Sequence, residues 1–197
     1  MTINLYLVRH GQTLFNKEHR MQGTCDSALT PLGIKQIEAT RDYFAQNGIS
    51  FDRAYCSTQE RASDTLEIIA GPEMEYDRLK ELKEKDYGIY EGRNILLWLL
   101  FRRFIGSSTI EDDREVTERM ERGMNLILRD AQDGENILVV GHGDSMCHYI
   151  RERAGGAKFT GFHNAEFALL KSDGNDVEYE ENVWPAKNVR IDQITGN

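Results

Sequence analysis

The chain has 197 residues, with 24 Lys or Arg against 33 Asp or Glu, for a formal net charge of −9. That length suits one domain around one sizeable core, and the acidic balance lacks the basic footprint that nonspecific nucleic-acid binding requires. Apolar residues at 40% and charged residues at 29% are those of an ordinary soluble globular chain, which excludes a disordered or fibrous class.

In chain order, the opening MTINLYLVRHG has no charged leader ahead of a long apolar stretch, so no secretory signal is expected. Ile3 to Val8 is a short aliphatic and aromatic run closed by Gly11, and it reads as a buried strand. Thr30-Pro31 opens a helix, with Thr30 as N-cap and Pro31 at the first helical position. Ile34, Ile37 and Phe44 fall on one side of it, and Gly48 supplies the stop. Phe51 to Cys56 is a weaker strand pattern. Ser57-Thr58-Gln59-Glu60 then matches a capping box, which makes Ser57 the N-cap of a helix carrying Ala62, Thr65, Leu66 and Ile69.

Residues from about 93 to 130 read as helical throughout and are expected as a small helical insertion within one domain, 1–197. The apolar run Ile95 to Phe101 is far short of the ~20 residues of a membrane span. With Arg102-Arg103 and Phe104-Ile105 after it, the 95–105 segment is expected as a buried helix over the sheet. A lid over a substrate, a homodimer patch and an interfacial anchor are the alternatives. Val116, Met120, Met124, Ile127 and Ala131 mark a further helix ending near Gly134. Ile137 to Val140 is another buried strand, and Gly141-His142-Gly143-Asp144 leads into a helix from about Ser145. Phe167 to Lys171 and Val177 to Tyr179 flank Ser172-Asp173-Gly174-Asn175, a hairpin signal. The alternation predicts an α/β fold in three layers, with a mostly parallel central sheet flanked by helices. Cys25, Cys56 and Cys147 form no disulfide framework and no CxxC site, so reduced thiols in a cytoplasmic protein are expected.

Two segments echo each other: Leu5-Tyr6-Leu7-Val8-Arg9-His10-Gly11 and Ile137-Leu138-Val139-Val140-Gly141-His142-Gly143. Each is a strand pattern ending in His-Gly, and open α/β sheets bind ligands beyond the carboxyl ends of their strands. One such histidine is ordinarily structural; two endings, one preceded by Arg, predict a facing pair. Arg61 would by itself read as a solvated helix arginine. Directly after a strand, it joins Arg9 and a helix N-terminus to make a site suited to a dianion.

Further blocks accompany these: Gln12-Thr13 with Asn16, Gln22-Gly23, Asp26, Leu29-Thr30-Pro31-Leu32-Gly33, Ser57 with Arg61, and Leu82-Lys83-Glu84-Lys85-Asp86-Tyr87-Gly88-Ile89-Tyr90-Glu91-Gly92. In order and together they resemble the histidine phosphatase superfamily, in its phosphoglycerate-mutase-like branch. The resemblance implies a metal-independent phosphomonoesterase acting on a small phosphorylated metabolite, with no cofactor. His10 would be the nucleophile, kept neutral by the cations Arg9 and Arg61. Arg9, Arg61 and His142 would hold the phosphoryl oxygens, and Glu84 would act as general acid and then base. Asn16, Gln22, Gly23, Ser57 and the Gly143 backbone correspond to the family's phosphate pocket. His142, Asp144 and His148 match no metal-ligand spacing, and His19, His148 and His163 are expected as surface or structural residues.

Mutases of the same superfamily resemble longer chains between the points matching Glu84 and His142, and more often read Glu-Ser where Gln12-Thr13 stands. The phosphatase branch is therefore expected, and a cofactor-dependent phosphoglycerate mutase is the alternative. A catalytically silent phosphate-binding module is the alternative of another class. It would be signalled by loss of His10, Arg61, Glu84 or His142, all of which are present.

Overall fold

The structure is a computed structural model and describes residues 1–101 and 109–190. Six strands form one sheet in the order β3-β2-β4-β1-β5-β6. They are β1 (Ile3–Arg9), β2 (Arg53–Ser57), β3 (Asp77–Leu79), β4 (Asn136–Gly141), β5 (Phe167–Ser172) and β6 (Val177–Val183). The first four run parallel, and the β5–β6 hairpin adds antiparallel to β1. This is the expected mostly parallel sheet with helices on both faces.

The strand period of two divides the core. Leu5, Leu7, Ile137 and Val139 point to one face, against Met120, Met124 and Ile127 of α5 (Asp113–Arg129) and Met146 and Ile150 of α6 (Gly143–Arg153). Tyr6, Val8, Leu138 and Val140 point to the other, against Ile37 and Phe44 of α2 (Pro31–Gln46) and Ala62, Leu66 and Ile69 of α3 (Glu60–Ala70). Because α5 is built into this layered core, residues 113–129 are part of the helical layer rather than of an appended insertion. What sits apart is α4 (Ile95–Phe101), a helix of seven residues. Within it Leu96 is 63% exposed and Leu99 46% exposed, while Trp98 packs edge-on to Tyr87. The Arg102-Arg103 and Phe104-Ile105 part of the expected lid or patch lies outside the described residues.

Local chemistry accounts for the boundaries. Thr30 caps α2 by accepting the Gly33 N–H (3.0 Å), as the sequence predicts, and Gly48 follows the helix at φ +65°. Ile34 departs from its expected place and is exposed, while Gln36 and Thr40 share the buried face with Ile37. The expected capping box at Ser57 does not form: α3 begins after Gln59, which makes no side-chain cap bond. Asp26, from a loop distant in sequence, caps that helix instead, accepting the Glu60 N–H at 2.7 Å. Short β3 and the four-residue α1 (Leu14–Lys17) carried no sequence signal, since neither is long enough to show a period.

Candidate active site

The parallel register brings four chain segments to one edge of the sheet. Arg9 pairs with Gly141, so the next residue on each strand is histidine, and the His10 N–H donates to the Gly141 carbonyl at 3.1 Å. The imidazoles of His10 and His142 sit 5.3 Å apart at their centroids. β2 ends at Ser57, with Arg61 in the first turn of α3 behind it, and β3 leads through a 3-10 turn (Lys80–Leu82) to Glu84.

His10 is buried and its Nδ1 lies 2.8 Å from the Gly11 carbonyl. A carbonyl can only accept, so Nδ1 carries the proton and Nε2 keeps a lone pair. Burial pushes the His10 imidazolium well below the usual histidine range, and the cations Arg61 and Arg9 push it further. His142 is displaced the same way, by burial first and Arg61 second. Its Nε2 meets Ser57 Oγ at 2.6 Å, and that oxygen accepts the Gln59 N–H at 3.3 Å. The Ser57 hydroxyl can donate to Nε2, an arrangement that places the His142 ring proton on Nδ1.

Arg61 is 1% exposed. Its Nη1 donates to the Cys25 carbonyl and to Asp26, at 2.8 and 3.0 Å, and its Nη2 to the Gly23 carbonyl at 2.8 Å. Arg9 donates through Nη1 to the Phe162 carbonyl at 2.6 Å. Among the described residues, the buried nitrogens that still lack an acceptor after these bonds include Arg9 Nε, Arg61 Nε, Gln22 Nε2 and His142 Nδ1. Buried donors are normally paired. Arg9, Arg61 and Gln22 line one cavity with His10, and His142 is in ring contact with His10, so the four orphans gather at one place. Such a cluster suits a multi-oxygen anion.

That cavity has a volume of about 450 Å³. Of the residues expected from sequence, Arg9, His10, Asn16, Gln22, Gly23, Arg61, Glu84 and Gly143 line it. His142 and Ser57, both fully buried, lie behind them, so Ser57 orients His142 rather than forming part of the wall. Asn16 Oδ1 accepts from the Thr13 N–H and from Asn164 Nδ2, which reserves the Asn16 amide N–H groups for other partners. Gly23 has φ +57°, and a Cβ there would lie 2.1 Å from the Glu91 carboxylate. Glycine is thus required by the fold of this loop itself. A Cβ on Gly143 would meet the Arg9 guanidinium at 3.1 Å.

Glu84 sits against the N-terminus of α6. Its Oε1 accepts the Lys85 and Ser145 N–H groups, each at 2.9 Å, and Oε2 the Asp144 N–H at 3.3 Å. Two supports escaped the sequence reading. Gln59 accepts the Glu84 N–H at 2.9 Å and donates to the Gly23 carbonyl at 2.8 Å, tying opposite walls together. Arg119 donates through Nη1 to the Glu81 and Lys83 carbonyls, at 2.7 and 2.8 Å, and through Nε and Nη2 to both oxygens of Glu111. A signal for Arg119 was available: it sits beside Val116, Met120 and Met124 on an otherwise apolar stripe, where a charge needs a buried partner.

Residues 5–190 match the family described as histidine phosphatase superfamily (branch 1). A 2,3-bisphosphoglycerate-dependent phosphoglycerate mutase of Rhizobium etli is 40% identical over 98 residues, covering 48% of this chain and 46% of that protein. The chain thus spans about half the length of the first curated relatives it matches. The uncharacterized phosphatase PhoE of Bacillus subtilis is 29% identical over 191 residues, covering 94% of this chain and 93% of its own. Among solved structures, Bacillus stearothermophilus YhfR superposes with a TM-score of 0.80 at 22% identity, over 94% of this chain and all of that one, a likeness of fold.

Proposed function

The chain belongs to the histidine phosphatase superfamily, branch 1, and on that premise we propose that it is a phosphomonoesterase acting through a phosphohistidine on a small phosphorylated metabolite. The observation that carries this reading is the gathering of unpaired buried donors around a neutral His10. A phosphoryl group presents oxygens to Arg9, Arg61, Gln22 and His142 while its phosphorus faces His10 Nε2. Phosphoryl transfer depends chiefly on such positioning and charge stabilisation.

In the first step the Nε2 lone pair forms the N–P bond, the ester P–O bond breaks, and the leaving oxygen takes a proton from Glu84. In the second, Glu84 removes a proton from water as its oxygen attacks phosphorus. The N–P bond breaks, and its electrons return to His10. Glu84 Oε2, holding only the long Asp144 N–H bond, is the oxygen freer to carry the proton. Hydrolysis is the preferred reading because likeness to the phosphatase relative runs along nearly the whole of both chains, whereas likeness to the mutases covers from about half to about three quarters of each. Mutase activity is the second reading, supported by the higher identity within that shared half.

The test is to incubate the protein with p-nitrophenyl phosphate and, separately, with 3-phosphoglycerate plus a bisphosphoglycerate primer, both with excess EDTA. Free phosphate is the expected product, and His10→Ala should abolish its release. Isomerised phosphoglycerate without free phosphate would replace this reading with the mutase. Turnover surviving in His10→Ala would remove His10 as the nucleophile.

A further inference from the structure

Among the described residues, four arginines and two carboxylates line the cavity. Half-buried Arg9 and buried Arg61 match the charge of one phosphoryl dianion. Glu84 is tied to backbone N–H groups, and Asp144 to the Tyr87 hydroxyl and, at 3.6 Å, to His148. Arg20 keeps its Nε on Glu18 at 2.9 Å and lies over the Phe15 ring.

Arg151 differs from all of these. No carboxylate pairs with it among the described residues, and its Nε donates to the Phe159 carbonyl at 2.7 Å. That bond orients the guanidinium plane while committing neither Nη group. Those two nitrogens are the edge that grips two oxygens of a carboxylate or phosphate side by side. A cation that the phosphoryl group does not need, oriented but unpaired, is a recognition element for a second negative charge.

We propose that Arg151, joined by Arg20, forms a second anion subsite in this cavity, so that preferred substrates are compact phosphomonoesters bearing a further carboxylate or phosphate on the leaving portion. The turnover part of this rests on the phosphomonoesterase reading, whereas the binding part does not. The cavity volume of about 450 Å³ falls in the range of small-molecule sites, roughly 300–1,000 Å³, and leaves room for such a leaving portion.

Glycerol 3-phosphate, 3-phosphoglycerate and glycerol 1,3-bisphosphate differ only at the end away from the shared phosphate, where they carry hydroxyl, carboxylate and phosphate. Their kcat/KM values in the wild type, and their dissociation constants by calorimetry in His10→Ala, give ratios in which partial misfolding cancels. At least one anionic ligand should exceed glycerol 3-phosphate by about tenfold, and the larger ratio identifies which anion the subsite takes. Arg151→Gln, in the wild type and in the His10→Ala background, should bring that ratio close to one, and Arg151→Lys should restore part of it. A wild-type ratio near one, or a ratio untouched by Arg151→Gln, would overturn the subsite even if all three esters are hydrolysed. Absence of hydrolysis with the binding ratio and its loss intact would refute the phosphatase reading and sustain the subsite.

Discussion

The proton inventory of two buried imidazoles sets how the site responds to pH. His10 and His142 are both held below the ordinary histidine value, chiefly by burial and then by the guanidinium of Arg61. In the unfolded chain each returns to about 6.5. Below that pH the unfolded state binds protons that the folded state refuses, so the stability these residues confer is complete above it and is lost as pH falls toward their folded values. The expected outcome is a Tm that drops between about pH 7 and about pH 5, with a shallower slope in a His10→Asn, His142→Asn double variant. Parallel slopes would mean that neither imidazole is held neutral by the fold. Both histidines were legible in the sequence because each ends a strand. That Ser57 serves His142 was not, because the reading that fitted its neighbours made it a helix cap.

Each helix contributes a different kind of support to the site, and α5 shows how distant it can be. Its capping box is local, with Asp112 accepting the Arg114 N–H at 2.9 Å, but its function here lies one turn further on at Arg119. The Arg119–Glu111 pair is largely shielded, with side chains 9% and 12% exposed, and the same guanidinium holds the backbone just before Glu84. Arg119→Ala would strand a shielded carboxylate and release two carbonyls, a loss of about 3–5 kcal/mol for a broken buried pair. Urea unfolding should show that loss, and kcat should fall with it as Glu84 loses its support. Arg119→Lys keeps the charge without the fork, so intact activity in that variant would limit Arg119 to a structural part. The apolar spacing of α5 was readable along the chain; its hold on Glu84 depends on residues that meet only after β3 and α5 pack.

Across the described residues, stability is concentrated in a sheet covered on both faces, while Leu96 and Leu99 of α4 stay exposed. Leu138 on the central strand β4 is fully buried, and Leu138→Ala should cost about 2–5 kcal/mol. Leu96→Ala, in the apolar run that sequence reading placed under cover, should change stability by less than about 0.5 kcal/mol, because Leu96 is 63% exposed. Denaturant midpoints of the two variants check this directly, and comparable losses would return α4 to the core. The alternating strands and helices, the two His-Gly strand ends and the Thr30 cap were determined by the sequence itself, since period, turn chemistry and capping act between residues a few positions apart. Asp26 capping α3, Gln59 joining the loop at Gly23 to Glu84, and the four donors left unpaired around His10 were decided by the tertiary structure. Whether a buried donor finds an acceptor depends on groups brought from across the chain, and no local pattern records what packing will place beside it.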